Sequence, residues 1–222
     1  MKVPVITIDG PSGVGKGTMS AMLAEHLKWN YLDSGALYRL TGLAAVKKNL
    51  AWQQELEIAN LAAQLNVIFK PSGEILLDGE NVASDIRTQE SGNNASKVAA
   101  IPAVRAALLQ RQKDFLKAPG LVADGRDMGT TVFPDASCKI FLTASPQCRG
   151  ERRYKQLIEN KNSAILPGSL EQIVFEIKER DERDMNRSSS PLQAAEDALT
   201  IDTSGLSIDE VFQQILGACN NK

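Results

Sequence analysis

From Val3 to Thr18 the sequence reads Val-Pro-Val-Ile-Thr-Ile-Asp-Gly-Pro-Ser-Gly-Val-Gly-Lys-Gly-Thr, and this stretch leaves few folds open. Val3 to Ile8 is a β-branched apolar run, which predicts a buried strand. Helical sequence then runs from about Lys16 to His26. Between them Gly10, Pro11, Ser12, Gly13, Val14, Gly15, Lys16, Gly17 and Thr18 fit the pattern G-x-x-x-x-G-K. Gly17 stands where Ser or Thr usually follows the lysine, and Thr18 comes one place later. Glycines let the backbone turn tightly and aim N–H groups at one point. The helix N-terminus adds about half a positive charge, and Lys16 adds a mobile one. A ligand-free glycine turn does not account for the lysine, its spacing and both flanking elements together. The loop is read as the seat of a nucleoside triphosphate, with no indication of what is done to it.

Further short apolar runs follow: Tyr31-Leu32, Leu121 to Asp124, Lys139 to Leu142 and Ala198 to Asp202. Helical stretches separate them, with caps at Asp33-Ser34, Ser145-Pro146, Ser169-x-x-Gln172 and Ser207-x-x-Glu210. This alternation predicts a three-layer α/β fold around a parallel sheet. Residues 66–84 break the pattern, with three short strands parted by Pro71-Ser72-Gly73 and Asp78-Gly79, which predicts a small antiparallel insert.

The 222 residues suit one large domain or a core with small inserts. A net charge of −2 argues against coating nucleic acid or an anionic membrane. Three cysteines without C-x-x-C spacing read as reduced thiols. One histidine, His26, excludes a multi-histidine metal site; roughly 15 Å along the helix from Lys16, it is expected to pack or cap. No apolar run has signal-peptide or membrane-spanning length, so a soluble cytoplasmic protein is expected.

Phosphoryl transfer needs alignment, Mg²⁺ and cations more than covalent chemistry. The chain is poor in histidine and carries arginines far from the loop. Arg149, Arg152 and Arg153 are three and four apart on one predicted helix, and Arg180, Asp184 and Arg187 fall at i, i+4 and i+7 on another. By spacing alone, a solvated helix with ordinary ion pairs explains these groups better. Asp124-Gly125-Arg126-Asp127-Met128-Gly129 is more specific, because it closes a predicted parallel strand, where ligands of open α/β sheets gather.

Taken together, Gly10–Thr18, Tyr31 to Arg39, Ile86-Arg87-Thr88, Asp124 to Gly129, and Ile177 to Asp184 with Asn186-Arg187 resemble bacterial cytidylate kinases, in one order from about residue 4 to 216. The Gly17-Thr18 variant is itself typical of nucleoside monophosphate kinases. The resemblance implies phosphorylation of CMP and dCMP by ATP with Mg²⁺. It implies an adenylate-kinase-like core with five parallel strands at about 1–33, 103–145 and 190–222. An acceptor region with the β insert would occupy 34–102, and a mobile helical lid about 146–189. Gly10 to Thr18 would hold ATP. Ser34, Arg39, Ser96, Arg105, Arg126, Asp127, Arg180, Asp184 and Arg187 would line the CMP side. Lys16, Arg126, Arg153 and Arg180 would act on the transferred phosphoryl group, with Arg149 or Arg152 as further candidates. The Mg²⁺ ligands are left open, and a monomer is expected.

Cytosine offers an amino donor at C4 and acceptors at N3 and O2, whereas uracil reverses the first two. A carboxylate and an arginine therefore suit cytosine and repel uracil. Asp127, with Ser96 and Arg105, is expected to read the base, Arg39, Arg126 and Arg180 the α-phosphate, and Asp184 a ribose hydroxyl. Trp29 and Trp52 are read as packing residues. Among rivals, a kinase of AMP, UMP or shikimate fits residues 33–39 and the insert less well. A GTP switch would need N-K-x-D, and Asn160-Lys161-Asn162-Ser163 lacks the aspartate.

Overall fold

A strand that is apolar on both faces belongs in the middle of a covered sheet. Val5–Asp9 (β1) is buried at every residue. It pairs in parallel with Leu121–Gly125 (β6) on one side and Cys138–Thr143 (β7) on the other. In this structure, a computed structural model that describes residues 3–69, 74–159 and 169–220, the sheet has five strands in the order β2 (Asn30–Asp33), β6, β1, β7, β8 (Leu199–Asp202). The expected parallel α/β sheet is present.

The chain forms two compact units, Met1–Leu32 with Phe115–Lys222, and Asp33–Asp114. The first holds the sheet, with helices α1 (Lys16–Leu27), α6 (Pro146–Glu159), α7 (Leu170–Asn186) and α8 (Ile208–Asn220). Ile6, Ile8, Leu23, Ile140, Leu142, Ile201 and Ile215 form its core, and Trp29 and Leu27 pack against it. The Trp29 ring fills the space beside Gly120, where a Cβ would come within 2.3 Å of it. His26 is exposed and meets the edge of Phe212, ring centroids 6.0 Å apart. The cap at Ser207 is complete: its hydroxyl accepts from Glu210 N, and the Glu210 carboxylate accepts from Ser207 N.

The second unit contains α2 (Ser34–Lys47), α3 (Glu55–Ala63), α4 (Gln89–Ala99) and α5 (Pro102–Lys113). Its small sheet is antiparallel, β3 (Val67–Phe69), β4 (Ile75–Leu77) and β5 (Glu80–Asn81) in that order. Asp78 and Gly79, at φ 51° and 90°, make the tight turn between the last two. The turn expected at Pro71-Ser72-Gly73 lies outside the described residues, as do Asn160 to Ser163. Asp33 caps α2 by accepting from Ala36 N, and Thr88 caps α4 by accepting from Ser91 N.

Two local features go beyond the sequence reading. Met128–Val132 forms one turn of π-helix, which the sequence reading did not assign. The helix α7 stops at Asn186, so Arg187 is extended and does not continue the helical face of Arg180 and Asp184. Among the described residues no helix is long and apolar enough to cross a membrane.

Candidate functional site

The phosphate loop leaves β1 through Gly10, whose φ is 144°. A Cβ there would lie 2.2 Å from the carbonyl oxygen of Leu142, so only glycine fits. Gly15, at φ 93°, sits just ahead of α1, and a Cβ there would point into open space. Lys16 is the first residue of α1; it is buried, and its ammonium donates to Pro11 O at 2.8 Å. Burial pushes that ammonium down to about 7; Arg126 and Arg180 push the same way, while Asp124 and Asp9 oppose them.

Arginines from the two long helices hold this loop from outside. Arg149 on α6 donates from Nε to Ala144 O and from Nη1 to Ser12 O, and forks onto both carboxylate oxygens of Asp181 on α7. Arg152 donates to Thr203, whose hydroxyl in turn donates to Val14 O. Arg149 and Arg152 are thus engaged by the protein's own groups. Arg180 reaches Ser12 Oγ from α7 at 3.2 Å. Arg153 is partly buried, and burial weakens its hold on its proton. The two arginine helices are therefore not the solvated surface that spacing alone favours.

A second cluster closes β6. Arg126 Nε donates to Asp184 Oδ2 at 2.9 Å, and Arg187 Nη2 lies 3.6 Å from Asp127 Oδ1. Asp127 and Asp184 are buried. Burial opposes the charge of Asp184, but Arg126, Arg180 and Arg187 together hold its carboxyl below the usual range. Asp124 accepts from the Tyr31 hydroxyl at 3.3 Å, and its Oδ2 lies 3.5 Å from where a Gly17 side chain would begin.

Sequence reasoning passed over Asp9. It is the last residue of β1 and is 4% exposed. Its Oδ1 accepts from Met128 N at 2.9 Å, and its Oδ2 from Gly129 N at 2.8 Å. Its only local signal is a carboxylate at the end of an otherwise apolar strand.

In the second unit, Ser34 opens α2 and is buried. Arg39 on the same helix donates to Ile86 O at 2.7 Å and Thr88 O at 3.3 Å, which fixes it against the Ile86-Arg87-Thr88 segment. Ser96 on α4 and Arg105 on α5 are buried, and the Arg105 guanidinium lies 5.7 Å from the centre of the Tyr38 ring. The candidate residues thus divide: Arg126, Asp127, Arg180, Asp184 and Arg187 gather in the first unit, while Ser34, Arg39, Ser96 and Arg105 lie in the second.

Known proteins resemble the chain as a whole. A family model described as cytidylate kinase matches residues 6–221. A protein named cytidylate kinase from Shewanella denitrificans (strain OS217) is 54% identical over 220 residues, spanning 97% of this chain and 95% of its own. One of the same name from Shewanella baltica (strain OS155) is 54% identical over 226 residues, 100% of this chain and 96% of its own. Among solved structures, a gluconokinase from Sinorhizobium meliloti 1021 aligns over 99% of this chain and 93% of its own, a distant likeness at 12% identity and a TM-score of 0.49. The family model and both relatives span the phosphate loop, the insert and the arginine helices, and the chain belongs to the cytidylate kinase family.

Proposed function

We propose that the protein transfers the γ-phosphoryl group of ATP to the phosphate of CMP or dCMP, giving ADP and CDP or dCDP. An oxygen of the acceptor phosphate attacks the γ-phosphorus in line, and the bond to the β–γ bridging oxygen breaks. The observation that carries this reading is the buried Lys16 at the head of α1, in a loop that Arg149 and Arg180 hold in shape. Preorganised cations of this kind stabilise charge as it moves onto the transferred group and cost no reorganisation during the reaction. Lys16 would follow the β- and γ-phosphates, and Arg126, Arg153 and Arg180 would neutralise the equatorial oxygens.

Mg²⁺ bound to the phosphates would supply further neutralisation of that charge. Among the described residues no three His, Cys, Asp or Glu side chains gather to hold a metal. A cation carried by substrate phosphates and waters needs only one or two protein carboxylates. Asp124, set against Gly17, fits that part.

On the acceptor side, Asp127 is a buried carboxylate suited to the cytosine amino group, and Arg187 lies 3.6 Å from it. Ser34, Arg39, Ser96 and Arg105 are further residues that this reading assigns to CMP binding. Arg39, Arg126 and Arg180 suit the α-phosphate, and Asp184 a ribose hydroxyl. Closure of the α6–α7 lid would exclude water, the competing acceptor.

A coupled ADP-release assay tests this with ATP, Mg²⁺ and each of CMP, dCMP, UMP, AMP, GMP, shikimate and no acceptor. Turnover should be strong with CMP and dCMP alone. Asp127→Asn should narrow the CMP/UMP ratio of kcat/KM by at least about tenfold, as loss of a charge-assisted hydrogen bond implies. Release without any acceptor would place the chain among NTPases.

A further inference from the structure

We propose that Asp9 is the positioning residue of the acceptor-reading loop: it caps the turn at Met128–Val132 from another strand and leaves the carboxylate of Asp127 to face the base. The proposal rests on the reading of this protein as a CMP kinase with Asp127 on the acceptor side.

The first turn of any helical segment leaves backbone N–H groups without intrahelical partners. The residue ahead of it, when Asp, usually turns its own side chain back to accept from them. Asp127 holds that place here and makes no such cap, although its carbonyl accepts from Thr131 N and Val132 N and so starts the turn. The N–H groups of Met128 and Gly129 are taken by Asp9 instead, one on each carboxylate oxygen. The Asp127 carboxylate lies beside Arg187. Asp9 also immediately precedes Gly10, so the cap on the acceptor loop is set from the end of the strand that leads into the phosphate loop.

The fit is close. A side chain at Gly129 would start 2.8 Å from Thr7 Oγ1, 3.2 Å from Lys139 Cδ and 3.4 Å from Asp9 Oδ2. The charged groups around Asp9 are Lys16 on α1, Asp127 ahead of the turn, and Lys139 on β7, whose ammonium pairs with Asp197 at 2.9 Å. Burial pushes the Asp9 carboxyl up to about 6; the N–H groups of Gly129 and Met128 pull it back, Asp127 pushes it up further, and Lys16 opposes that. The ionised form accepts both N–H bonds. Below about pH 6 one oxygen carries a proton and turns from acceptor to donor, so the cap weakens as pH falls.

Asp9→Asn keeps the shape and loses one acceptor. It should lower kcat/KM for CMP by about 10–100-fold at pH 8, the range for one charge-assisted hydrogen bond. The loss should fall mainly on KM for CMP, with KM for ATP moving less than about threefold. The ratio of wild type to Asp9→Asn should shrink as pH drops from 8 to 5. Titration of the substrate phosphate is common to both proteins and cancels. Asp127→Asn should cost less in the Asp9→Asn background than alone, because the two act as one unit. A ratio constant with pH, together with additive effects, would overturn the proposal. If Asp9→Asn does not fold, wild-type NMR decides. The amide shifts of Met128 and Gly129 should titrate together with the Asp9 carboxyl carbon near pH 6, and amides that stay still would reject the cap. Failure of the wild type to phosphorylate CMP, by contrast, would reject the underlying reading and leave the cap itself to the same NMR test.

Discussion

Burial pushes the Lys16 ammonium down to about 7, so at pH 8 its amine is mostly neutral. Bound triphosphate brings several negative charges against it and must raise that value. ATP binding at pH 8 should therefore take up close to one proton. Below about pH 6 Lys16 is already charged, and its uptake should vanish. Calorimetry in two buffers of different ionisation enthalpy measures the proton count. Lys16→Met should abolish the uptake at pH 8, and an unchanged count would assign it to another group. Lys16 was legible in the sequence because its loop is local: strand, glycines, lysine and helix follow one another. Asp9 was not, because its partners lie at Met128 and Gly129, and nothing near residue 9 announces them. A buried carboxylate declares its role only once folding has brought its hydrogen-bond partners to it.

Between α6 and α7 the chief tie is the fork from Arg149 to Asp181, both buried. Breaking one half leaves an uncompensated charge. Arg149→Met should cost about 3–5 kcal/mol of stability, and Arg149→Met with Asp181→Leu should recover most of it. Urea unfolding of the two variants makes the comparison. Equal losses in the single and double variants would show that Arg149 matters through Ser12 and Ala144 rather than through the pair. Elements with local causes were readable: the caps at Asp33, Ser169 and Ser207 stand where the sequence puts them. The π turn at Met128–Val132 was not, since its first N–H groups are held from β1. Spacing on α6 and α7 also misled. The arginine and carboxylate that pair are on different helices, and i,i+4 counting sees only one helix at a time.

At the scale of the whole molecule, Asp33–Asp114 is one unbroken stretch with its own buried residues, among them Leu37, Leu40, Ile58, Val98, Val104 and Leu108. Among the described residues its strands β3, β4 and β5 pair with one another in a sheet of their own. Produced as a separate chain, it should keep a helical spectrum and melt cooperatively. A featureless, non-cooperative melt would show that it depends on the rest of the protein. The sheet of the other unit has the opposite character. Val5 pairs with Leu121, and Ile6 with Cys138, so the first strand made has no partner until more than half the chain exists. On the ribosome, synthesis therefore finishes one unit while β1 still waits with both edges open. At roughly 5–20 residues per second, the hundred-odd residues between β1 and its partners take about 5–20 seconds to appear. For that interval the strand that leads into the glycine loop is unpaired, the kind of surface that nascent-chain chaperones hold.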